Sequence, residues 1–298
     1  MSQTLPPVSI GIPFFNAEET LLDAVRSVFS QTHGDWELIL LDDGSTDNSL
    51  ELARSIRDPR VRVYSDGENR RLAARLNQMA DLVTHDHVAR MDADDLISPD
   101  RIRQQLEFLQ ARPECDLVST GVCSLTNSNE PIGIRLPPEH GSIAPRPLLL
   151  SNSGIVHASL LGRRSWFVRN RYSEKIRTGQ DANLWIRAYS NNDLKVGFIN
   201  KPLYYYREDG NVVSSKLNAA YREGLRTIVR DARPNFSTAD RFHAFSITLA
   251  KLMVTQSLSL FDALELLRKR RNRTPLSQEE KDFFTEEIAH VKSTRLPV

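Results

Sequence analysis

The first forty residues alternate between short apolar runs and an amphipathic segment. The runs "VSIGI" (8–12) and "ELILL" (37–41) are bounded by polar turn residues, as buried parallel strands are. Between them, after the candidate N-cap Asn16, apolar residues recur at helical spacing: Leu21, Leu22, Val25, Val28 and Phe29. This stretch therefore predicts a strand, a helix and a second strand.

The same alternation continues to about residue 125. It predicts helices near 47–57, 71–84 and 99–110 and strands at 61–65, 87–91 and 115–122. Ser98-Pro99, a capping residue followed by proline, marks the start of the third of these helices. Strands that alternate with helices are typical of an α/β fold with a mostly parallel sheet.

The pattern changes in the second half of the chain. Residues 126–147 are rich in Pro, Gly, Asn and Ser, which predicts a long connection. Regular patterns return in "GIVHASLLG" (154–162), in a helix at 180–190 and in a strand at 195–199. After Lys216 the pattern is helical, so we expect an α/β region over 1–215 and a helical extension over 216–298.

Composition narrows the classes of function. The 39 Lys and Arg nearly balance the 38 Asp and Glu, and a net charge of +1 argues against a nucleic-acid-binding protein. Cys115 and Cys123 lack the spacing of zinc ligands, so we expect two reduced, buried thiols. The N-terminus does not resemble a signal peptide and no apolar run reaches membrane-spanning length, which predicts a cytoplasmic protein.

Two acidic clusters follow predicted strands. Asp42 and Asp43 come after one strand, and Asp92, Asp94 and Asp95 come after another. In open α/β sheets, the loops at the carboxyl ends of the strands form the ligand site. Adjacent carboxylates repel unless a cation neutralises them, and oxygen ligands suit Mg²⁺ or Mn²⁺. The alternative is that both clusters are solvated turns and a helix cap.

A metal held by aspartates does not by itself define the reaction. A phosphatase of the haloacid dehalogenase type needs an aspartate nucleophile where "LLDDGST" has Leu41. A nucleotidyltransferase needs a glycine-rich loop after its first strand, where this chain has "PFFNAEE". The residues thus argue against both of these enzymes.

The ordered motifs resemble those of the family 2 glycosyltransferases, which are inverting enzymes of the GT-A fold. The matching stretches are "VSIGIPFFNAEETLLDAVRSVFSQTHGDWELILLDDGSTDNS", "LAARLNQMA" and "HVARMDADDLISPDRIRQQLEFLQ". The resemblance, which covers roughly residues 7–210, implies a Rossmann-like mixed sheet flanked by helices. It divides the catalytic region into a nucleotide-binding half (about 1–125) and an acceptor half (about 126–215), followed by the helical extension.

The resemblance also assigns a donor site. It implies that Asp43 accepts a hydrogen bond from the base, that Asp92 lies near the ribose and diphosphate, and that Asp94 and Asp95 hold Mn²⁺ or Mg²⁺. The nucleotide-sugar-binding residues that it implies are Pro13, Phe15, Asn16, Asp42, Asp43, Arg75, Asn77, Asp92 and Ala93.

The acceptor side needs one base. Family members commonly present it as Glu-Asp at a helix start, and here Gln180-Asp181 precedes the expected Leu184, Trp185 and Arg187, which implies Asp181 as the base. The alternative for Asp181 is a first-turn aspartate that complements the helix dipole. Further sugar, acceptor or diphosphate contacts are implied at His157, Gln180, Trp185 and Arg207. The tyrosine run at 204–206 fits either a sugar-stacking face or the wall of an edge strand.

Two positions depart from the family pattern. Arg71 replaces a glycine, and Arg70 and Arg75 add charge beside the expected diphosphate site. Gln180 replaces the usual acid, which should leave the pKa of the neighbouring Asp181 carboxyl lower than an adjacent glutamate would.

Residues 257–273 form an amphipathic pattern that ends in a basic cluster, "RKRRNR". Such a helix is suited to an anionic membrane surface, which would bring the enzyme to a lipid-linked acceptor at the inner face of the membrane. The alternative is a helix that covers the catalytic region or pairs with another subunit.

These expectations combine into one hypothesis. The chain is expected to be a metal-dependent inverting glycosyltransferase that moves a sugar from a nucleotide-diphosphate donor, a UDP-sugar, to a hydroxyl of a glycan or lipid-linked acceptor in surface polysaccharide synthesis. The alternative is a catalytically silent nucleotide- or glycan-binding module of the same fold. The sequence leaves the sugar, the linkage and the oligomeric state open.

Overall fold

The computed structural model describes residues 4–138, 143–208, 214–260 and 274–298. Within these residues a nine-stranded mixed sheet organises the chain. Its strands are β1 (Val8–Phe14), β2 (Trp36–Asp42), β3 (Val61–Tyr64), β4 (His87–Arg90), β5 (Leu96–Ile97), β6 (Leu117–Leu125), β7 (Pro131–Arg135), β8 (Leu161–Arg163) and β9 (Val196–Arg207).

Helices cover both faces of this sheet. They are α1 (Leu21–Phe29), α2 (Ser49–Ser55), α3 (Arg71–Leu82), α4 (Arg101–Ala111), α5 (Pro145–Leu149), α6 (Arg164–Arg169), α7 (Gln180–Ser190), α8 (Ser214–Arg230), α9 (Thr238–Leu260) and α10 (Gln278–Ser293). None of the helices in the described ranges combines the length and apolar character that a membrane span requires.

The two halves of the sheet have different strand directions. The strands run in the order β3-β2-β1-β4-β8-β6-β9-β5, with β7 on β6. The first four strands are all parallel, as expected of helical crossovers. In the second half β8, β7 and β5 are antiparallel to their neighbours, so the expectation of a mostly parallel sheet holds only for the first half. Strand β9 lies between β6 and β5, which corrects the expectation of an edge strand at 204–206.

Two predicted helix caps are wrong. Helix α1 begins at Leu21 after Thr20, and Asn16 instead has a left-handed backbone (φ 49°) and accepts a hydrogen bond from Thr46 N at 2.8 Å. Helix α4 begins at Arg101, and the Ser98 hydroxyl donates to Glu287 at 2.9 Å. In both cases a distant partner occupies the side chain that the local pattern assigns to a cap.

The stretch 126–147, expected to be a connection, contains regular structure. It includes β7, which pairs with β6 over Val122–Leu125, and the start of α5. Prolines and glycines hide these short elements, because the pairing of β7 comes from a neighbouring strand rather than from its own sequence pattern.

Helix α3 packs closely against β1, and apolar clusters fill both faces of the sheet. The backbone of Gly11 in β1 lies against α3 so closely that an added Cβ would stand 1.7 Å from Met79 Sδ. Apolar residues of β2 and β4 alternate between two core clusters, one beneath α1 and α4 and the other beneath α3, α6 and α7, whereas those of β1 lie in the first cluster. The carboxyl ends of β1, β2 and β4 therefore open at one edge between the two helical layers.

The C-terminal helix returns to the sheet. Phe284, Ile288 and Val291 of α10 form a third buried cluster with Leu96, Cys123, Leu125 and Tyr205. Most of the amphipathic basic stretch 257–273 lies outside the described residues, so the expected membrane-binding helix stays a prediction.

Candidate active site

Three carboxylates gather at the carboxyl end of β4. Oxygen atoms of Asp92, Asp94 and Asp95 all lie within 4.8 Å of one another. Burial, together with the charge of Asp92, raises the pKa of Asp94, and burial and both neighbouring carboxylates raise the pKa of Asp95 well above its usual range. An all-oxygen cluster under such repulsion fits a divalent cation such as Mg²⁺ or Mn²⁺.

Strand β9 positions this acidic loop. The Tyr204 hydroxyl donates to Asp95 Oδ2 at 2.8 Å and accepts from Asp92 N at 3.1 Å. Asp95 Oδ1 accepts from Arg207 N at 2.8 Å, and Asp95 is 1% exposed. Asp94 is the exposed member of the cluster, which favours it as the principal ligand.

Arg207 contacts the backbone of the acidic loop. Its guanidinium donates to the carbonyl oxygen of Asp94 and, through Nε and Nη2, to Asn129 Oδ1 at 3.0 and 2.6 Å. This geometry supports a positioning role, in which Arg207 fixes the backbone of Asp94.

A cleft of about 660 Å³ opens beside the cluster. It brings together four of the predicted residues, Asp92, His157, Gln180 and Asp181. The rest of its wall includes cationic and aromatic side chains: Arg90, Arg135, Arg177, Tyr206 and Lys216. A polar cleft with this many cations is suited to an anionic ligand such as a diphosphate.

Asp181 enters the cleft from the first turn of α7. The preceding Gly179 has φ 77°, a left-handed conformation that glycine adopts without strain. Asp181 lies close enough to Arg90 for its charge to raise the pKa of that guanidinium. Among the described residues no hydrogen-bond donor occupies the Asp181 carboxylate, which leaves it free to accept a proton.

His157 lines the same cleft as Asp181. Its Nε2 lies 2.7 Å from the Tyr172 hydroxyl, and burial together with the charge of Arg90 lowers its pKa well below the usual range. The Trp185 ring packs against His157 and Trp166 and is 3% exposed. Trp185 is therefore a core residue, and the ligand contact expected from its side chain stays a prediction.

Arg75 belongs to a buried network. Its five N–H groups have five acceptors: Nε bonds Asp43, and the two Nη atoms bond both oxygens of Asp66, Gln78 Oε1 and the carbonyl oxygen of Glu68. The side chain is 1% exposed. All five donors of Arg75 are thus occupied within the protein, and its expected contact with the nucleotide sugar stays a prediction.

Asp43 retains part of its predicted capacity to accept a hydrogen bond from a nucleotide base. Oδ1 accepts from Arg70 N, Arg71 N and Arg75 Nε, whereas within the described residues Oδ2 accepts only a hydrogen bond shared from Arg71 N. Asp43 Oδ2 is therefore the oxygen that can take a hydrogen bond from a base.

Asp42 and Asn77 also stabilise the protein itself. Asp42 is 1% exposed and accepts from Ser45 N at 2.9 Å and the Ser65 hydroxyl at 2.7 Å. The Asn77 side chain bonds both the N–H and the carbonyl oxygen of Tyr172. Their geometry supports structural roles, so the direct nucleotide contacts expected of them have no support here.

The remaining residues of the predicted donor site lie in β1, on the loop after β1 and on the loop after β4. Pro13 is buried in β1, Ala93 is buried in the acidic loop, and Asn16 joins the β1 loop to Thr46. Phe15 is 47% exposed at the carboxyl end of β1. An exposed aromatic ring at this edge is suited to stacking on a nucleotide base.

Sequence reasoning missed Arg90. This arginine in β4 is 3% exposed, donates from Nη2 to Asp92 Oδ1 at 2.5 Å and lines the cleft. Its Nε is buried and has no hydrogen-bond partner within the described residues. The detectable signal was a charged residue inside the apolar strand "HVARM", since a buried charge is costly unless it has a purpose.

Comparison with known proteins places this site in context. A family model described as glycosyl transferase family 2 matches residues 9–169. EpsE of Bacillus subtilis (strain 168), whose name is that of a glycosyltransferase, is 30% identical over 69% of this chain and 74% of its own length. An uncharacterised glycosyltransferase of Rickettsia conorii (strain ATCC VR-613 / Malish 7) is 30% identical over 84% of this chain, but only 40% of its own length is matched.

Solved structures share the fold. TarS 1-349 of S. aureus in complex with UDP-GlcNAc has a TM-score of 0.61 at 15% identity, over 96% of this chain and 80% of that one. The mannosyltransferase PcManGT of Pyrobaculum calidifontis, in complex with GDP-Man and Mn²⁺, has a TM-score of 0.58 at 14% identity, over 98% of this chain and 87% of that one. The GT-A arrangement expected from the motifs is therefore confirmed.

Proposed function

The chain belongs to glycosyl transferase family 2 and is a glycosyltransferase, and on that premise we propose that it is a metal-dependent inverting enzyme. Its donor is a UDP-sugar, and its acceptor is a hydroxyl of a glycan or lipid-linked glycan in surface polysaccharide synthesis. The observation that carries the proposal is the cleft that joins Asp92 of the acidic cluster to Asp181. The nucleotide-binding half is 1–125 and the acceptor half is 126–215.

The residues divide the reaction between two sides of the cleft. Asp181 takes the proton from the acceptor hydroxyl as that oxygen attacks the anomeric carbon, and the bond to the diphosphate breaks on the opposite face. Arg90 holds Asp92 in place through the hydrogen bond at Oδ1. His157, being neutral, adds a hydrogen-bonding group to the acceptor side without adding charge.

The acidic cluster would hold the cation. Asp94 is its exposed ligand, with Asp92 beside it and Asp95 fixed by Tyr204 and Arg207 N. A bound Mn²⁺ or Mg²⁺ supplies neutralisation of the charge that develops on the leaving diphosphate.

The choice of a UDP-sugar rests on Asp43 and on the fold relatives. Asp43 Oδ2 can accept the one ring N–H of uracil, although guanine also offers one. TarS has been crystallised with UDP-GlcNAc and PcManGT with GDP-Man, so the fold serves both bases. Only a direct comparison of nucleotides separates the two donors.

The first test is binding of UDP, GDP, dTDP and CMP by calorimetry, with and without Mn²⁺. We expect one diphosphate to bind in a Mn²⁺-dependent manner and Asp94→Ala to lose that dependence. Asp35→Ala is the matched control, because Asp35 is an exposed aspartate directly before β2, at the other edge of the sheet. Failure of the wild type to bind any of the four would contradict the proposal.

The second test addresses the base. Asp181→Asn should leave donor affinity within about twofold of wild type while lowering glycosyl transfer by about 10²–10⁴-fold, because a lost base raises the barrier without changing ground-state binding. Unchanged turnover by this variant would show that another group takes the proton.

A further inference from the structure

A second cavity lies behind the candidate base. It has a volume of about 300 Å³ and lies between α5, α7, α8 and α9. Most of its wall is apolar, with Leu149, Leu150, Ile186, Leu217 and Ala220 among the contributing side chains. The helical extension thus supplies one side of a cavity whose other side belongs to the catalytic region.

The cavity and the cleft share a wall. Gly179 and Asp181 line both of them, so the cavity and the cleft adjoin at the first turn of α7. A molecule whose hydroxyl reaches Asp181 therefore has an apolar space within reach of its other end.

Two hydroxyl groups of the cavity wall have partners within the protein. Thr227 Oγ1 accepts from Asn183 Nδ2 at 3.3 Å. The hydroxyl of Tyr221 bonds to Thr255. An apolar cavity of about 150 Å³ holds a benzene molecule. A space of about 300 Å³ has room for roughly ten carbon atoms on that scale.

Gly224 leaves this space open but lowers the stability of α8. A glycine inside a helix is less favourable than alanine by about 1 kcal/mol. Packing does not require it here, because an added Cβ would meet only Thr248 Cγ2, at an ordinary contact distance of 3.7 Å. Both residues line the cavity, so an alanine would fit and would only reduce the volume.

We propose that this cavity binds an apolar group attached to the acceptor sugar, either a hydrocarbon chain or an aromatic ring. The inference rests on the proposed function, because it assumes that Asp181 faces the acceptor. It gives the helical extension a part in acceptor recognition: α8 and α9 close the apolar site, while the sugar hydroxyl lies in the cleft.

The test uses methyl, hexyl and phenyl β-D-glucoside as probes below the micelle concentration, with binding followed by ¹³C-methyl NMR on the full chain. Hexyl or phenyl glucoside should bind at least tenfold more tightly than methyl glucoside and shift the methyl signals of Leu149, Ile186 and Leu217. A preference for hexyl would indicate a chain and a preference for phenyl a ring.

Variants of α8 locate the site. Ala220→Leu fills the cavity and should weaken hexyl glucoside binding at least tenfold, whereas Ala219→Leu, the same change at the exposed neighbouring position, should not alter it. Gly224→Ala, which retains the fold by the contact distance above, should weaken binding severalfold.

Equal affinities for the three glucosides, or equal binding by Ala220→Leu and Ala219→Leu, would overturn the acceptor site. UDP and GDP binding with Mn²⁺ is measured on the same samples. Intact nucleotide binding would then mean that the cavity inference alone has failed, whereas absence of nucleotide binding would overturn the proposed function and this inference with it.

Discussion

Arg71 has a backbone conformation that glycine adopts more readily than other residues. Its φ is 70°, in the left-handed region, and its N–H donates to both oxygens of Asp43. Side chains with a Cβ adopt this conformation at a cost of about 1–3 kcal/mol, and β-branched ones are the least tolerated. The turn that presents the Asp43 carboxylate therefore imposes the backbone conformation, and arginine is accepted there under strain.

Substitutions at Arg71 should follow this backbone requirement. Arg71→Gly should change the free energy of unfolding by less than about 1 kcal/mol, in the stabilising direction, because relief of strain outweighs the added freedom of the unfolded chain. Arg71→Val should destabilise the protein by about 1–2 kcal/mol. Urea unfolding measures both changes.

The matched control for valine is Arg70→Val, because Arg70 has φ −91° and its ion pairs with Asp66 and Glu68 are exposed. Such pairs contribute about 0–1 kcal/mol. Equal losses for valine at 70 and at 71 would show that the left-handed backbone carries no strain.

His157 makes stability depend on pH in a defined direction. Burial lowers its pKa in the folded protein, whereas the unfolded chain binds a proton near pH 6.5. Below that pH the unfolded state holds more protons, so the free energy of unfolding falls as pH decreases. Between pH 7.5 and 5.5 this histidine should cost about 1 kcal/mol of stability.

His157→Gln should remove that part of the pH dependence while retaining a partner for the Tyr172 hydroxyl. Urea unfolding at the two pH values measures the difference between wild type and variant. An identical slope for wild type and His157→Gln would refute the effect.

At the scale of elements, β9 connects the acidic loop to the C-terminal helix through alternate side chains. Tyr204 faces the loop and bonds Asp95 and Asp92 N, while Tyr205 faces α10 and its hydroxyl bonds Glu287. Successive side chains of a strand point to opposite faces, so two neighbouring tyrosines serve two different parts of the molecule.

Because the two tyrosines contact different parts of the protein, we expect Tyr204 to affect metal affinity and Tyr205 to affect stability alone. Tyr204→Phe leaves the Asp95 oxygen and Asp92 N without their partner and should weaken Mn²⁺ binding about 10–100-fold. Tyr205→Phe removes a hydrogen bond from the same strand and should destabilise the protein by about 1–3 kcal/mol without changing Mn²⁺ affinity beyond about twofold. Calorimetric Mn²⁺ titration together with urea unfolding tests the pair, and equal Mn²⁺ affinities would contradict the positioning role of Tyr204.

The elements that could be predicted were those with a strong local pattern. Strands β1 to β4 and helix α7 lie where apolar periodicity places them, because each buries its own apolar residues. Strands β5 and β7 were missed, since β5 has only two residues and β7 contains Pro131 and Gly133, and each is defined by its pairing with a neighbour.

The candidate site residues also differ in how far the sequence predicts their surroundings. Asp92 and Asp181 follow motifs and do reach one cleft. Arg75 and Trp185 also match motif positions, but their side chains are satisfied inside the protein by partners that only the folded chain brings together. Arg90 has a signal in the sequence, a charge inside an apolar strand, but only the fold shows that its guanidinium bonds Asp92.

At the scale of the whole molecule, the helical extension does not lie apart from the catalytic region. Ser277 caps α10 through a capping box, and α10 then packs on the sheet. Further contacts join Glu287 to Ser98, Lys292 to Asp23 and the carbonyl oxygen of Pro297 to Arg57 N. A chain ending near residue 215 would therefore expose β5 and β9.

The two neighbouring phenylalanines of α10 test this integration. Phe284 is 5% exposed and packs against Tyr205 in the third core cluster, whereas Phe283 is 58% exposed. Phe284→Ala should destabilise the protein by about 3–4 kcal/mol, in one cooperative transition that includes the catalytic region, because it leaves a cavity between the helix and the sheet. Phe283→Ala should change the free energy of unfolding by less than about 0.5 kcal/mol.

The stability of both variants is measured by urea unfolding. One set of curves follows circular dichroism and the other follows the loss of nucleotide binding. Coincident transitions shifted together in Phe284→Ala would mean that the C-terminal helix supports the same cooperative unit as the acidic loop, since β5 and β9 join the two. A separate early transition that leaves nucleotide binding intact would instead mean that α10 unfolds alone, and that the catalytic region ends before it.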